Sequence, residues 1–159
     1  MKSNKTFIIA EAGINHNGKI HLAKKLIDIA KKTGADAVKF QTFKSEDVIS
    51  KFAQKLTYQK KNSKDKETQL EMLKKFELTY SEFKSLKKYC EKKNILFMST
   101  PKNIESAKFL NKIKMKIFKI GSGEAINYPL IKKINSFKKK TIKSTGMCTL
   151  SEVEKIVKI

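Results

Sequence analysis

Ile117-Phe118-Lys119-Ile120-Gly121-Ser122-Gly123-Glu124-Ala125-Ile126-Asn127-Tyr128-Pro129-Leu130-Ile131-Lys132-Lys133-Ile134 changes texture halfway along. Ile117 to Ile120 is a bulky, β-branched, mostly apolar run, the pattern of a short buried strand. Gly-Ser-Gly-Glu is a polar turn. Pro129 then suits a first helical turn, and Leu130, Ile131, Ile134 and Phe137 recur at helical spacing. A strand that feeds through a turn into a helix is the repeating unit of a parallel sheet, because parallel strands need a crossover connection.

The same unit recurs outward in both directions. The other runs that read as strands are Phe7-Ile8-Ile9-Ala10-Glu11-Ala12-Gly13, Ala37-Val38-Lys39-Phe40-Gln41-Thr42, Ile95-Leu96-Phe97-Met98-Ser99-Thr100 and Thr141-Ile142-Lys143-Ser144-Thr145-Gly146. Between them, Leu22, Leu26, Ile29 and Ala30 form a helical stripe that Gly34 ends as its C′ residue. Leu70, Leu73 and Phe76 form another. Thr79 and Glu82 make a capping box ahead of Phe83, Leu86 and Cys90, and Thr149 and Glu152 make a second ahead of Val153, Ile156 and Val157. Asn103 caps Ile104, Ala107 and Leu110. Strict alternation predicts an α/β fold with a parallel sheet under helices, either an open doubly wound sheet or part of a (β/α)8 barrel. The polar stretch over residues 44–67 reads as a functional loop leaving the second strand.

The chain has 159 residues, enough for one buried core. No apolar run reaches the length of a membrane span, and Phe7 to Ala10 is too short for a signal-peptide core. Two cysteines, Cys90 and Cys148, exclude a disulfide framework. A cytoplasmic location follows as the expectation. The net charge is +21, and every one of the 36 basic residues is lysine. Arginine is the residue that grips phosphate and bases bidentately. Its absence, with abundant Ile and Asn, points to A/T-rich codon usage and solvated lysine faces rather than to nucleic-acid recognition.

In parallel α/β folds the site lies at the carboxyl ends of the strands. Here those ends carry Glu11, Lys39 with Gln41, Ser99 with Thr100, Lys119 with Ser122 and Glu124, and Ser144 with Thr145. Period-two alternation puts Lys39 and Gln41 on one face. A lysine flanked by apolar strand residues is costly to bury alone. Two of them, Lys39 and Lys119, each just before a polar strand end, point to an anionic ligand. The hydroxyls of Thr100, Ser122 and Ser144 supply neutral donors to its oxygens. Glu11 and Glu124 suit acid–base work, hydroxyl or metal binding, or neutralisation of a neighbouring lysine. Gly121 and Gly123 let the backbone approach a ligand. His16 reads as a turn residue rather than a substrate contact, though its place after the first strand suits either, and Cys148 lacks the paired histidine of a nucleophile.

Taken together, these strand ends resemble the N-acetylneuraminate (sialic acid) synthase family. Ile9-Ala10-Glu11-Ala12-Gly13-Ile14-Asn15-His16-Asn17-Gly18 is similar to its opening signature. Val38 to Thr42, Ser99-Thr100-Pro101, Lys119 to Glu124 with Asn127-Tyr128-Pro129, and Ser144-Thr145-Gly146-Met147 are similar to its next four strand motifs, in order. The resemblance implies a (β/α)8 barrel that condenses phosphoenolpyruvate with N-acetylmannosamine or a related aminosugar, aided by a divalent metal (Mn or Mg). The products are a nonulosonic acid and phosphate. It implies that Lys39, Thr100, Lys119, Ser122 and Ser144 bind the phosphate and carboxylate of phosphoenolpyruvate, that Gln41 also binds substrate, and that Glu11 and Glu124 orient the sugar or the attacking water. It further implies a homodimer for the complete enzyme, with no membrane or specific nucleic-acid partner.

A complete barrel of this type takes about 250 residues. Residues 1–159 are therefore expected to be its N-terminal portion, about five β/α units. The later strands with their two metal-ligating histidines, and the C-terminal antifreeze-like domain, are expected to be absent. Neither His16 nor His21 matches those ligand positions. Two unpaired apolar edges predict that this chain alone is inactive and aggregation-prone. Lys143 stands where the family has an aliphatic residue and must snorkel out of the helix layer. The alternatives are an inactive remnant, a Lys-rich polyanion-binding protein, or a related phosphoenolpyruvate-aldose synthase. Acceptors for sialic, legionaminic and pseudaminic acid all remain open, and Glu11 to His16 looks more like the first two.

Overall fold

The computed structural model describes residues 5–54 and 67–159. The elements run β1 (Ile9–Gly13), α1 (Ile20–Lys32), β2 (Ala37–Thr42), α2 (Ser45–Val48), α3 (Gln69–Lys74), α4 (Tyr80–Lys92), β3 (Leu96–Pro101), α5 (Ile104–Lys112), β4 (Ile117–Ile120), a 3-10 turn (Ser122–Glu124), α6 (Tyr128–Asn135), β5 (Lys140–Lys143) and α7 (Leu150–Lys158). The five strands pair in parallel in the spatial order β1-β2-β3-β4-β5. A doubly wound sheet reverses its strand order at a switch point, whereas a barrel does not. The unbroken order therefore selects the barrel: this is a five-unit part of a (β/α)8 wall. Of the 44–67 stretch, residues 45–48 form α2, and residues 55–66 lie outside the described residues.

Alternation divides the sheet into two faces. Phe40, Phe97 and Phe118 face the helix layer. Phe40 packs on Phe97 with ring centroids 6.0 Å apart, and Phe118 on Phe137 at 5.6 Å. Phe83, Leu86 and Cys90 from α4, Ala107 and Leu110 from α5, and Leu130, Ile131 and Ile134 from α6 complete that buried layer. Ser99 also faces it. Its hydroxyl meets that of Thr42 at 2.7 Å in the buried interior, so Ser99 is a structural partner of β2 and turns away from the strand-end cleft.

The helix boundaries follow local chemistry. Thr79 with Glu82, Thr149 with Glu152 and also Thr68 with Glu71 form complete capping boxes, while Asn103 and Asn127 cap α5 and α6 through their side chains. Gly34 leaves α1 with φ +81°, the left-handed C′ geometry. Three stripes differ from the sequence reading. In α1 the buried residues are Ala23, Ile27 and Ala30, while Ile29 is 49% exposed. In α3 no residue is fully buried, because that short helix rides on the rim rather than on the sheet. Val157 of α7 is likewise exposed, leaving Ile156 as that helix's buried anchor. Lys143 does snorkel: its Nζ donates to the Ile156 carbonyl at 2.8 Å, and burial holds its pKa below the ordinary lysine value.

Candidate functional site

The opposite face of the sheet carries the polar set. Register aligns Glu11 with Lys39, Lys39 with Met98, and Gln41 with Thr100, so their side chains stand in successive rungs on the inner face. Lys39 forms an ion pair with Glu11 across β1 and β2. The lysine side chain is largely buried, whereas the carboxylate on the outer strand is 54% exposed and open to solvent. On β4, Lys119 donates to the Ser144 hydroxyl at 2.5 Å and to the Ile120 carbonyl at 3.0 Å. Burial, with the neighbouring charge of Lys39, holds its pKa below the ordinary lysine value. The carboxylates of Glu11 and Glu124 oppose that shift. Two ammonium groups are thus brought close enough on one face to repel each other, and a polyanion between them would relieve that repulsion.

The 3-10 turn after β4 supplies the next group. Glu124 Oε1 accepts from Lys102 at 2.7 Å, and its Oε2 is buried with no hydrogen-bond partner among the described residues. A Cβ on Gly121 would stand 2.6 Å from that Oε2, so glycine is what allows the carboxylate to lie against the strand end. Ser122 sits in the same turn. A Cβ on Gly146 would lie 3.8 Å from its hydroxyl, which places the loop after β5 beside it. Sequence reasoning missed Lys102. It lies two residues beyond Thr100 and so shares its face, a signal that period-two alternation contains.

Beside this set opens a cleft of about 470 Å³, lined by the polar Gln41, Asp47, Lys102, Glu124 and Asn127 and by the apolar Phe43, Val48, Ile49 and Leu73. Phe43, Val48 and Ile49 were also missed as lining, because the four-residue α2 is too short to show a period, and Leu73 was read only as part of a helical stripe. Ion pairing of Lys74 with Glu46 at 2.7 Å, and a hydrogen bond from the Ser45 N–H to Glu77 at 2.5 Å, hold α2 against α3.

His16 is the turn residue the sequence suggested, and its side chain points inward. It is buried beneath the β1–α1 loop, 6.1 Å from the Phe40 ring, on the helix side of β2. Its Nδ1 accepts from the Gly18 N–H at 3.1 Å, which leaves the ring proton on Nε2, buried and without a partner among the described residues. Burial holds its pKa below the ordinary imidazole value, with Glu82 opposing. Gly18 has φ +69°, and a Cβ there would meet the Lys75 carbonyl oxygen at 2.1 Å, so the loop can close over His16 only with glycine. Cys148 is partly exposed, with its thiol 3.9 Å from the Gly146 carbonyl. Cys90 is buried, and burial pushes its thiol up to about 12.

Among the described residues no three of His, Cys, Asp or Glu group closely enough to hold a metal ion. The two carboxylates that face the site are each engaged by a lysine. These residues do not by themselves compose a divalent-metal site.

A sequence model of the NeuB family matches residues 26–159. The chain is 51% identical over 155 residues to the N,N'-diacetyllegionaminic acid synthase of Campylobacter jejuni, covering 98% of this chain and 46% of that protein. To the pseudaminic acid synthase of the same strain it is 34% identical over 155 residues, covering 98% and 45%. The crystal structure of an N-acetylneuraminic acid synthetase from Leptospira borgpetersenii, solved with citrate, superimposes with a TM-score of 0.84 at 34% identity, covering 98% of this chain and 50% of that one. The chain thus spans about half the length of the relatives it matches.

Proposed function

The chain belongs to the NeuB family, and from that premise we propose that its residues form the N-terminal portion of a nonulosonic acid synthase barrel that binds phosphoenolpyruvate and an N-acetylated aminosugar in the cytoplasm. The observation that carries this reading is the convergence of Lys39 and Lys119 with Thr100, Ser122 and Ser144 at the strand ends. Phosphoenolpyruvate carries about three negative charges in a small volume. Two ammonium groups on a low-dielectric wall, with hydroxyls between them, form a matching cradle.

In the reaction proposed, the methylene carbon of phosphoenolpyruvate attacks the aldehyde carbon of the open-chain sugar: the enol π pair forms the carbon–carbon bond, and the aldehyde C=O π pair moves to its oxygen, which takes up a proton and becomes a hydroxyl. Water adds to the resulting oxocarbenium carbon and loses a proton. Phosphate then leaves with the electrons of its C–O bond as the hydroxyl that water supplied gives up its proton and forms the ketone C=O. Lys39 and Lys119 hold the phosphate and carboxylate and offset the charge that builds on the leaving group. Ser144, oriented by Lys119, and Ser122 in the turn beside it fix the phosphate. Glu11 and Glu124 orient the sugar hydroxyls and the attacking water, and Gln41 contacts the sugar. Positioning of two reactants in one cleft supplies the entropic part of the acceleration.

The 51% identity to the N,N'-diacetyllegionaminic acid synthase, against 34% to the N-acetylneuraminic acid synthetase, supports a diacetamido sugar as the acceptor. Calorimetric titration of the chain with phosphoenolpyruvate tests the anion cradle. Lys39→Met and Lys119→Met should each weaken binding by about ten- to a hundredfold, the value of a charge-assisted hydrogen bond. Equal affinity for phosphoenolpyruvate and inorganic phosphate, indifferent to both substitutions, would sink the reading.

A further inference from the structure

At the amino-terminal end of the sheet, opposite the strand-end cradle, lies another cavity of about 430 Å³. It is built where α4 leads into β3 and α5 into β4. Its lining combines the apolar Ile95, Leu96 and Phe97 with Lys87, Lys114 and Lys116. The acidic residue in that lining is Glu91, which Lys87 engages as an ion pair. A fourth ammonium is fixed beside the cavity. Lys139 Nζ donates at 2.9 Å to the carbonyl of Met115, itself a lining residue. Burial, with the charge of Lys87, holds the Lys139 pKa below the ordinary lysine value. Ile117 pairs with Lys140, so Lys116 and Lys139 enter adjacent strands side by side. Lys114 takes φ +61°, a left-handed conformation that Gly34 supplies behind α1, so this lysine is held on strained backbone.

These charges do not cancel from within. Lys87 and Glu91 offset each other, but Lys114, Lys116 and Lys139 have no carboxylate partner among the described residues. The carboxyl ends of α4 and α5 face the same region and supply about half a negative charge each. About two positive charges therefore remain beside an apolar surface. A merely solvated lysine face would not tuck Lys139 against the Met115 carbonyl. We propose that this cavity is a second anion site, which takes the phosphate of a small organic phosphomonoester and rests its organic part on Ile95, Leu96 and Phe97. Such a phosphate carries about −1.5 to −2 at neutral pH, matching the charge left over. The cavity lies between the third and fourth β/α units, away from both sheet edges, and shares no lining residue with the strand-end cleft. The proposal therefore stands independently of the synthase reading. Its ligand is phosphoenolpyruvate itself or another phosphomonoester; the phosphate dianion is common to both.

The test is amide NMR on the chain carrying Lys39→Met and Lys119→Met, which silences the cradle. Phenyl phosphate, phosphoenolpyruvate and inorganic phosphate are titrated separately. Saturable shifts should appear at the amides of Asn94, Lys114, Met115 and Lys116. Phenyl phosphate should bind at least about fivefold more tightly than inorganic phosphate, because its ring buries apolar surface. Phosphoenolpyruvate as tight as phenyl phosphate would make the substrate the ligand. Phosphoenolpyruvate no tighter than inorganic phosphate would assign the site to a different phosphomonoester, and the site stands in either case. Adding Lys139→Met should weaken phenyl phosphate by about tenfold, and adding Lys114→Gln with Lys116→Gln by about as much. Lys132→Gln with Lys155→Gln removes the same charge from exposed positions on α6 and α7 and should change affinity by less than about twofold. Equal losses for the two double substitutions, shifts that never saturate, or inorganic phosphate as tight as phenyl phosphate would mean attraction by general charge alone and overturn the site.

Discussion

Lys119 shows how a functional residue trades against stability. Its ammonium is partly desolvated beside Lys39 and, among the described residues, donates to a hydroxyl and a carbonyl. A lysine whose folded pKa is lowered makes the fold bind its proton less tightly than the unfolded chain does. That cost is complete at neutral pH and fades as pH rises between the folded value and the ordinary lysine value. Lys119→Met should therefore raise the melting temperature while it weakens phosphoenolpyruvate binding, and binding to the wild-type chain should fall with rising pH earlier than an ordinary lysine would dictate. His16 carries the same sign at lower pH. Its neutral ring is what fits, because protonation would set an Nδ1 proton against the Gly18 N–H and leave a buried charge. Its contribution to stability is whole above the ordinary imidazole value and is lost as pH falls toward the lowered one. Thermal denaturation at pH 7.5 and 5.5 should show a larger loss for the wild-type chain than for His16→Phe; equal losses would remove His16 as the cause. Glu11, Lys39 and Lys119 were legible in the sequence because each sits at a fixed parity in an apolar run, and Glu124 because it closes the Gly-Ser-Gly-Glu turn that follows one. The burial of His16 was not, since nothing local says that a loop folds back over it.

Capping decides how the helices register on the sheet. Thr79 closes its box at the head of α4, whose Phe83, Leu86 and Cys90 are buried, so losing the cap strains a helix the core needs. Thr149 closes an identical box on α7, where Ile156 is the fully buried residue. Thr79→Ala should cost about 1 kcal/mol of global stability by denaturant unfolding. Thr149→Ala should instead appear as faster amide exchange confined to α7, with little change in the global midpoint. Matching global losses would mean that α7 is as integral as α4. The alternation of strands and helices along the chain, the capping boxes at Thr79 and Thr149 and the Pro129 helix start were readable, because each depends on residues close in sequence, whereas the spatial strand order rests on pairings distant in sequence. The burial phase of α1 was not. Leu22 and Leu26 point to a stripe through Ile29, but small Ala23 and Ala30 allow α1 to approach the sheet about Ile27 instead. Which face wins is set by the surface opposite, α4 and β1 here, and that surface is distant in sequence.

At the scale of the molecule, two forces of opposite salt dependence act on the same surface. Phe7, Ile8 and Ile29 are exposed on the β1 side, and Ile142, Leu150 and Val157 on the β5 side. Apolar side chains beside sheet edges favour association between copies. Against this stands a net charge of +21. Mutual repulsion between copies reaches about 30 Å at 0.01 M salt but only about 3 Å at 1 M. Salt should therefore promote self-association: sedimentation velocity should show monomer at low ionic strength and larger species as salt rises. Ile8→Lys with Leu150→Lys should suppress those species, because each removes apolar area from one edge and adds charge. Polyanion binding runs the other way, since counterion release makes nucleic-acid affinity fall steeply with salt. Association that falls with added salt, or that requires nucleic acid, would assign the surface to the lysines rather than to the edges. Phosphoenolpyruvate bound in the strand-end cradle should resist salt better than either, because Lys39 and Lys119 act within a partly buried wall where screening is weak.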